Sequence, residues 1–181
     1  MSFKKIIVFS CLLFAPLSLA DTFSPNTSYT VCFTLHENCT TKVVDAIYKA
    51  KKEILVQAYS FTSAPIAQAL VEAKQRGVNV KIILDKSQVK AKYTSAKYFE
   101  NNGLNPEIDY KPAIAHNKIM VIDNETVITG SFNFTKAAEE KNTENLLIIH
   151  NSVLAKKYAE NWYRRLGESI TSYQYRVTRL K

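Results

Sequence analysis

The segment from Ile54 to Asp85 limits the fold more than any other. ILVQAYSF is an apolar run of strand length. Ser63 and Pro65 then open a helical stretch from Ala64 to Gln75 that stops at Arg76 and Gly77, and VNVKIILD resumes a buried strand at Val78. Strand, helix and strand with connections this short imply two parallel strands joined by a right-handed crossover. The expected class is α/β, a mixed, mostly parallel sheet flanked by helices.

The flanking sequence extends the alternation. Tyr29 to Leu35 reads as a strand, and Thr41 to Lys52 as a helix with Val43, Val44, Ile47 and Ala50 at helical spacing. A lysine-rich, tyrosine-containing region from Lys86 to Tyr98 leads through a helix to Gly103, and a short strand follows near Pro106 to Tyr110. A helix from the cap residue Thr135, the strand ENLLIIH and an amphipathic helix from Ser152 to Leu166 complete the pattern. The closing GESITSYQYRVTRLK lacks a clear core face, so residues 167–181 are expected to be a mobile tail or an interface segment. With 181 residues, 46% of them hydrophobic, and only four Gly and five Pro, the chain is expected to form one domain over residues 29–166, after a polar lead-in at 21–28.

Residues 1–20 stand apart. Two lysines, a short apolar run and a small-residue ending make a secretory signal with cleavage near Ala20, the alternative being an uncleaved membrane anchor. The expected location is therefore periplasmic or secreted. The full chain carries 24 Lys and Arg against 16 Asp and Glu; removing residues 1–20 takes Lys4 and Lys5 and no acid, which leaves about +6. That excess favours an anionic partner, nucleic acid or an acidic lipid surface, without choosing between them. Cys32 and Cys39 remain in an exported chain, bracketing FTLHEN. A disulfide closing that loop is the preferred reading, and a metal site including His36 is the alternative, weakened by the want of a fourth ligand.

Chemistry concentrates in AHNKIMVIDNETVITGSFNFT, residues 115–135. If Asp123 and Asn124 form a two-residue turn, Ile122 faces Glu125, Lys118 faces Thr129 and His116 faces Ser131. His116, Lys118, Ser131 and Asn133 would then share one face of an apolar hairpin. A cation, two directed hydrogen-bonding groups and an imidazole suit a phosphate, whereas a polar sheet edge open to water is the ordinary alternative.

The spacing His116-x-Lys118, four residues to Asp123, six to Gly130, then Ser131-x-Asn133 resembles the HxKxxxxDxxxxxxGSxN signature of the phospholipase D superfamily at every fixed position. AYSFT, RGVNVKIILD and GSFNFTKAAEEKNTEN extend the likeness to the small, single-motif, Nuc-like bacterial endonucleases of that superfamily, over roughly Val31 to Trp162. The superfamily uses two copies of the motif per active site, and this sequence has one, so the resemblance implies a homodimer with a shared site. It further implies that His116 of one copy attacks phosphorus, that His116 of the other protonates the leaving oxygen, and that Lys118 and Asn133 hold the phosphoryl oxygens. By the same resemblance Ser131 adds a hydrogen bond and Glu144 orients the histidine, while Asp123 and Gly130 are structural members of the signature, Asp123 pinning its own turn.

No metal or other cofactor is needed by such a scheme, and the sequence has neither H-E-x-x-H nor a dense acidic cluster. Nucleic acid is the favoured substrate, with Lys90, Lys92 and Lys97 as the expected binding surface, interleaved with Tyr93 and Tyr98. Phospholipid is the alternative, because VCFTLHENC is similar to the opening of small exported single-motif proteins called phospholipase D. A catalytically inactive module that only docks phosphate is the remaining class, and the intact signature speaks against it.

Overall fold

A computed structural model describes residues 21–90 and 94–178 of the chain. The expected signal segment and Lys92 lie outside the described residues. Eight strands form one sheet: β1 (Ser28–Phe33), β2 (Glu53–Ala58), β3 (Asn79–Asp85), β4 (Glu107–Asp109), β5 (Lys118–Ile122), β6 (Thr126–Gly130), β7 (Asn145–His150) and β8 (Ile170–Thr171). They are ordered β1-β7-β6-β5-β2-β3-β4-β8. The helices are α1 (Cys39–Lys49), α2 (Ala64–Gln75), α3 (Ala96–Asn101), α4 (Lys136–Glu140), α5 (Ser152–Leu166) and α6 (Ser172–Thr178).

The β2-α2-β3 unit forms as its sequence requires, with Ile54 beside Val80 and Ala58 beside Leu84 in a parallel ladder. Gly77, at φ 92°, turns the chain out of α2 in a conformation that favours glycine. Ser63 sits at the start of α2 without using its side chain as a cap; its amide donates to Phe134 O instead. The α/β class and the mixed, helix-flanked sheet hold, but the weight within the sheet differs from expectation. Two ladders, β2-β3 and β3-β4, are parallel, whereas five are antiparallel. The reason is the β5-β6 hairpin, which enters beside β2 running the opposite way and carries β7 and β1 with it.

Two apolar layers cover the sheet. On one side Val43 and Ile47 of α1 and Ile66 and Leu70 of α2 bury Ile54, Val56, Met120, Ile122 and Ile128. On the other, α5 places Ala155, Ala159 and Trp162 over Leu55, Ile83, Val121 and Val127. The alternation of Leu55 with Ile54 and Val56 across these layers is the period of two along a strand, and both faces are apolar because both are covered. The segment after Leu166 is not a loose tail as far as Thr178. Ile170 pairs with Ile108, Ser172 N donates to Pro106 O, and Arg176 and the Ser172 hydroxyl both reach Glu100.

The hairpin differs from expectation by one residue. Asp123 and Asn124 have φ 55° and 57°, as a two-residue turn requires, and Glu125 N donates to Ile122 O. In the ladder, however, Ile122 pairs with Thr126, Val121 with Val127 and Met120 with Ile128, so Glu125 is an extra, bulged residue. The Asp123 carboxylate does not pin its own turn. It accepts the amides of Lys51 (2.9 Å), Lys52 (2.7 Å) and Glu53 (2.9 Å), and so fastens the junction between α1 and β2.

Burial pushes the Asp123 carboxyl up, but the three amides and nearby Lys52 outweigh that and hold it below the usual carboxylate range. A folded-state value below the unfolded one gives stability that is complete above the unfolded value and is lost as pH falls through the lowered folded value. Asp123→Asn should cost on the order of 1–3 kcal/mol at neutral pH and shrink the loss of stability on acidification. Urea melts carried from about pH 7 to about pH 2 measure both; an acid limb as steep as that of the parent would contradict the assignment.

Candidate active site

The signature residues gather where the central strands end, not on a face of the hairpin. Ala58 ends β2, Lys118 begins β5, Gly130 ends β6 and Asn145 begins β7, and these strands are neighbours in the order β7-β6-β5-β2. The Glu125 bulge removes the alternation that would have set His116 opposite Ser131. A second irregularity follows at Gly130, where the amides of Ser131 and Phe132 both donate to Asn145 O. Gly130 has φ 136°, and a Cβ there would collide with that same carbonyl. Phe132 and Phe134 then turn into the core, leaving Ser131 exposed and Asn133 half-buried.

His116 is exposed, and its ring packs against Tyr59 at 4.6 Å between centroids. The loop before it is fixed by Asp85 at the end of β3, whose carboxylate accepts the Ala115 amide at 2.8 Å. Lys118 is 8% exposed. Its Nζ lies 3.0 Å from His116 Nε2 and 5.3 Å from the centre of the Tyr59 ring. An ammonium donor at Nε2 requires that nitrogen to present its lone pair, which puts the ring proton on Nδ1. Burial pushes the Lys118 ammonium down, and the carboxylate of Glu144 offsets part of that shift.

Glu144 accepts from the Ser131 hydroxyl at 2.5 Å and from Asn142 Nδ2 at 3.0 Å. The Ser131 hydroxyl also accepts the Asn145 amide at 3.0 Å. Two pairs, His116 with Lys118 and Ser131 with Glu144, are therefore built separately and joined by the field of Glu144 at Lys118. Asn133 has a buried Oδ1 without a hydrogen-bond partner, an atom whose desolvation is uncompensated in the single chain. Gln57, one residue before the end of β2, likewise has both amide atoms buried without partners.

Of the expected binding lysines, Lys90 and Lys97 are exposed on the segment that Ser95 N ties to Phe61 O, beyond the end of β2 that leads to Tyr59. Lys97 also pairs with Glu100 at 3.5 Å. Lys86 is committed elsewhere, donating to Tyr110 O and Pro112 O. Cys32 and Cys39 are joined in a disulfide, which removes the alternative of a metal site with His36. Among the described residues no helix is long and apolar enough to cross a membrane. Tyr59 and Asp85 were not singled out as site residues from sequence. Tyr59 follows an apolar strand in simple alternation, and an Asp at a strand end is ordinary.

A family model described as "Cardiolipin synthase, PLD-like domain" matches residues 43–166. A protein of Rickettsia conorii named Phospholipase D is 44% identical over 134 residues, 74% of this chain and 67% of that protein. The human protein named Mitochondrial cardiolipin hydrolase is 24% identical over 139 residues, 77% of this chain and 55% of that protein. Among solved structures, Nuc from Salmonella typhimurium, described as a phospholipase D family member, superposes with a TM-score of 0.76 at 40% identity, over 80% of this chain and 97% of its own. With the family model spanning most of the chain and relatives this similar in sequence and structure, the chain belongs to the phospholipase D superfamily and is a hydrolase acting on phosphodiester bonds.

Proposed function

We propose that the protein is a metal-independent, sequence-tolerant endonuclease that works as a homodimer in an exported location. The observation that carries the reading is the pair of exposed His116 and buried Lys118 at the ends of the central strands, in a chain of net positive charge that exposes Lys90, Lys97 and Tyr98 on the segment Ser95 ties to Phe61. Strand ends that expose an imidazole to solvent admit a polymer, and exposed lysines and a tyrosine suit a phosphate backbone with stackable bases. His116 Nε2 of one copy attacks phosphorus as the P–O bond to the leaving group breaks, and His116 of the second copy gives that oxygen its proton. The second imidazole, now neutral, takes a proton from water, whose oxygen displaces Nε2 and frees the phosphate product. Lys118 and Asn133 hold the phosphoryl oxygens, Ser131 and Glu144 set the electrostatics behind them, and Asp123 and Gly130 shape the hairpin.

A phospholipid substrate is the second reading, supported by the name of the Rickettsia relative and by exposed Ile114, two residues from His116, and exposed Phe33 and Leu35 on either side of Thr34, which bonds Glu144. One preparation, in chelator, should be offered plasmid DNA, RNA and phosphatidylcholine vesicles. Nucleic acid is expected to be cut and headgroup release to be slower by at least about 100-fold, the lower end of the discrimination that pocket contacts achieve. Nucleic-acid affinity should fall linearly in log–log form as salt rises. Efficient headgroup release without cleavage of nucleic acid would reverse the choice of substrate, and activity that needs added magnesium or zinc would overturn the metal-free scheme.

A further inference from the structure

The loop closed by the disulfide is built into the site. Cys32 lies one residue before the end of β1 and Cys39 opens α1, so the bond brackets residues 33–38. Just past the β1-β7 ladder, whose last pair is Phe33 with Asn145, Thr34 turns inward and is 3% exposed. Its hydroxyl accepts the Glu144 amide at 2.7 Å and donates to Asn142 O at 2.7 Å, and its own amide donates to Glu144 O at 3.2 Å. The backbone of Glu144 is thus gripped on both its N–H and its C=O by one residue of the bracketed loop. The far end of the loop is tied down as well, because Glu139 accepts the amides of Cys39 (3.1 Å) and Thr40 (2.7 Å).

Glu144 is the carboxylate that holds Ser131 and acts on Lys118. We infer that Thr34 is a positioning residue for Glu144, and that the Cys32–Cys39 disulfide, by holding the Thr34 loop against β7, makes the hydrolase redox-responsive: active when oxidised, attenuated when reduced. The inference deepens the reading above and rests on Glu144 belonging to the site. The redox step is a two-electron exchange in which a dithiol reductant becomes a disulfide and Cys32 and Cys39 become two thiols. The loop then gains the freedom that the cross-link had removed, and Thr34 no longer stays over the Glu144 backbone.

The test uses the purified full chain and a small bis-aryl phosphodiester in chelator, so that neither nucleic-acid nor lipid binding enters. Thr34→Val keeps the shape and removes the hydroxyl, and Thr34→Ser keeps the hydroxyl. The valine variant should lose on the order of 10-fold in kcat with KM within about 2-fold, and the serine variant should recover most of it. Dithiothreitol should lower the kcat of the parent by a similar factor, reversibly on reoxidation, and speed amide exchange over residues 142–146. The Cys32→Ser/Cys39→Ser variant should be slow with or without reductant. Equal kcat for the valine and serine variants, or a fully reduced parent with undiminished kcat and unchanged exchange, would overturn the inference. A parent inert toward every phosphodiester would count against the hydrolase reading alone, since exchange at the Glu144 amide still decides whether the disulfide and Thr34 hold it.

Discussion

His116→Ala is expected to lower phosphodiester cleavage by a factor on the order of 10⁴ or more while leaving the fold intact. On the proposed mechanism the rate falls because both the bond-forming step and the proton transfer depend on this residue, once from each copy of a shared site. The fold survives because the ring is exposed, resting on Tyr59 and meeting Lys118 Nζ. Removing it frees Lys118 to turn toward water, so stability should change by no more than about 0.5 kcal/mol. Steady-state rates on a small diester and a urea melt of the same sample check the two halves. A variant retaining even a tenth of parental activity would mean that the nucleophile is elsewhere.

Trp162→Ala should destabilise the protein by about 3–5 kcal/mol, the cost typical of emptying a large buried aromatic site. Trp162 is fully buried beneath α5, at the centre of the layer formed by Leu55, Ile83, Val121 and Val127, and its indole donates to Val56 O at 2.8 Å. That bond fixes the height of α5 over β2, the strand that leads into Tyr59. Trp162→Phe keeps much of the apolar area and loses the donor, so it should cost less, about 1–2 kcal/mol. Equilibrium denaturation with an unchanged slope separates stability from a change in compactness. A loss under about 1 kcal/mol for the alanine variant would show that α5 is held by other contacts.

Much of this architecture is legible in sequence because it is periodic or punctuated. Pro65 and Gly77 mark α2, alternating burial marks β2 and β3, and the signature spacing collects His116, Lys118, Ser131 and Asn133. What escapes is set by backbone contacts between distant segments. Nothing in the periodicity of DNETV announces that Glu125 bulges, and that single residue breaks the alternation that would have set four polar groups on one face. Asp123 finds its amides at Lys51, Lys52 and Glu53, Thr34 finds Glu144, and Asp85 finds Ala115; each is a short polar residue whose partner only the topology supplies. The last strand and helix were missed for a related reason. Ile170 and Tyr175 are buried or half-buried against β4 and its surroundings, yet on so short a segment they leave no helical or strand period to read.

The pairing of β1 with β7 also sets an order of events. The β2-α2-β3 unit closes over short loops and can form early, whereas β1 meets its partner across more than a hundred residues, as the 110-residue separation of Thr34 from Glu144 shows. A chain growing or crossing a membrane from its N-terminus therefore holds β1 unpaired until β7 has emerged. On the proposed reading catalytic competence waits for that pairing, because Glu144 gains its Thr34 contacts only once β7 is present, and a nascent phosphodiesterase is silent until then.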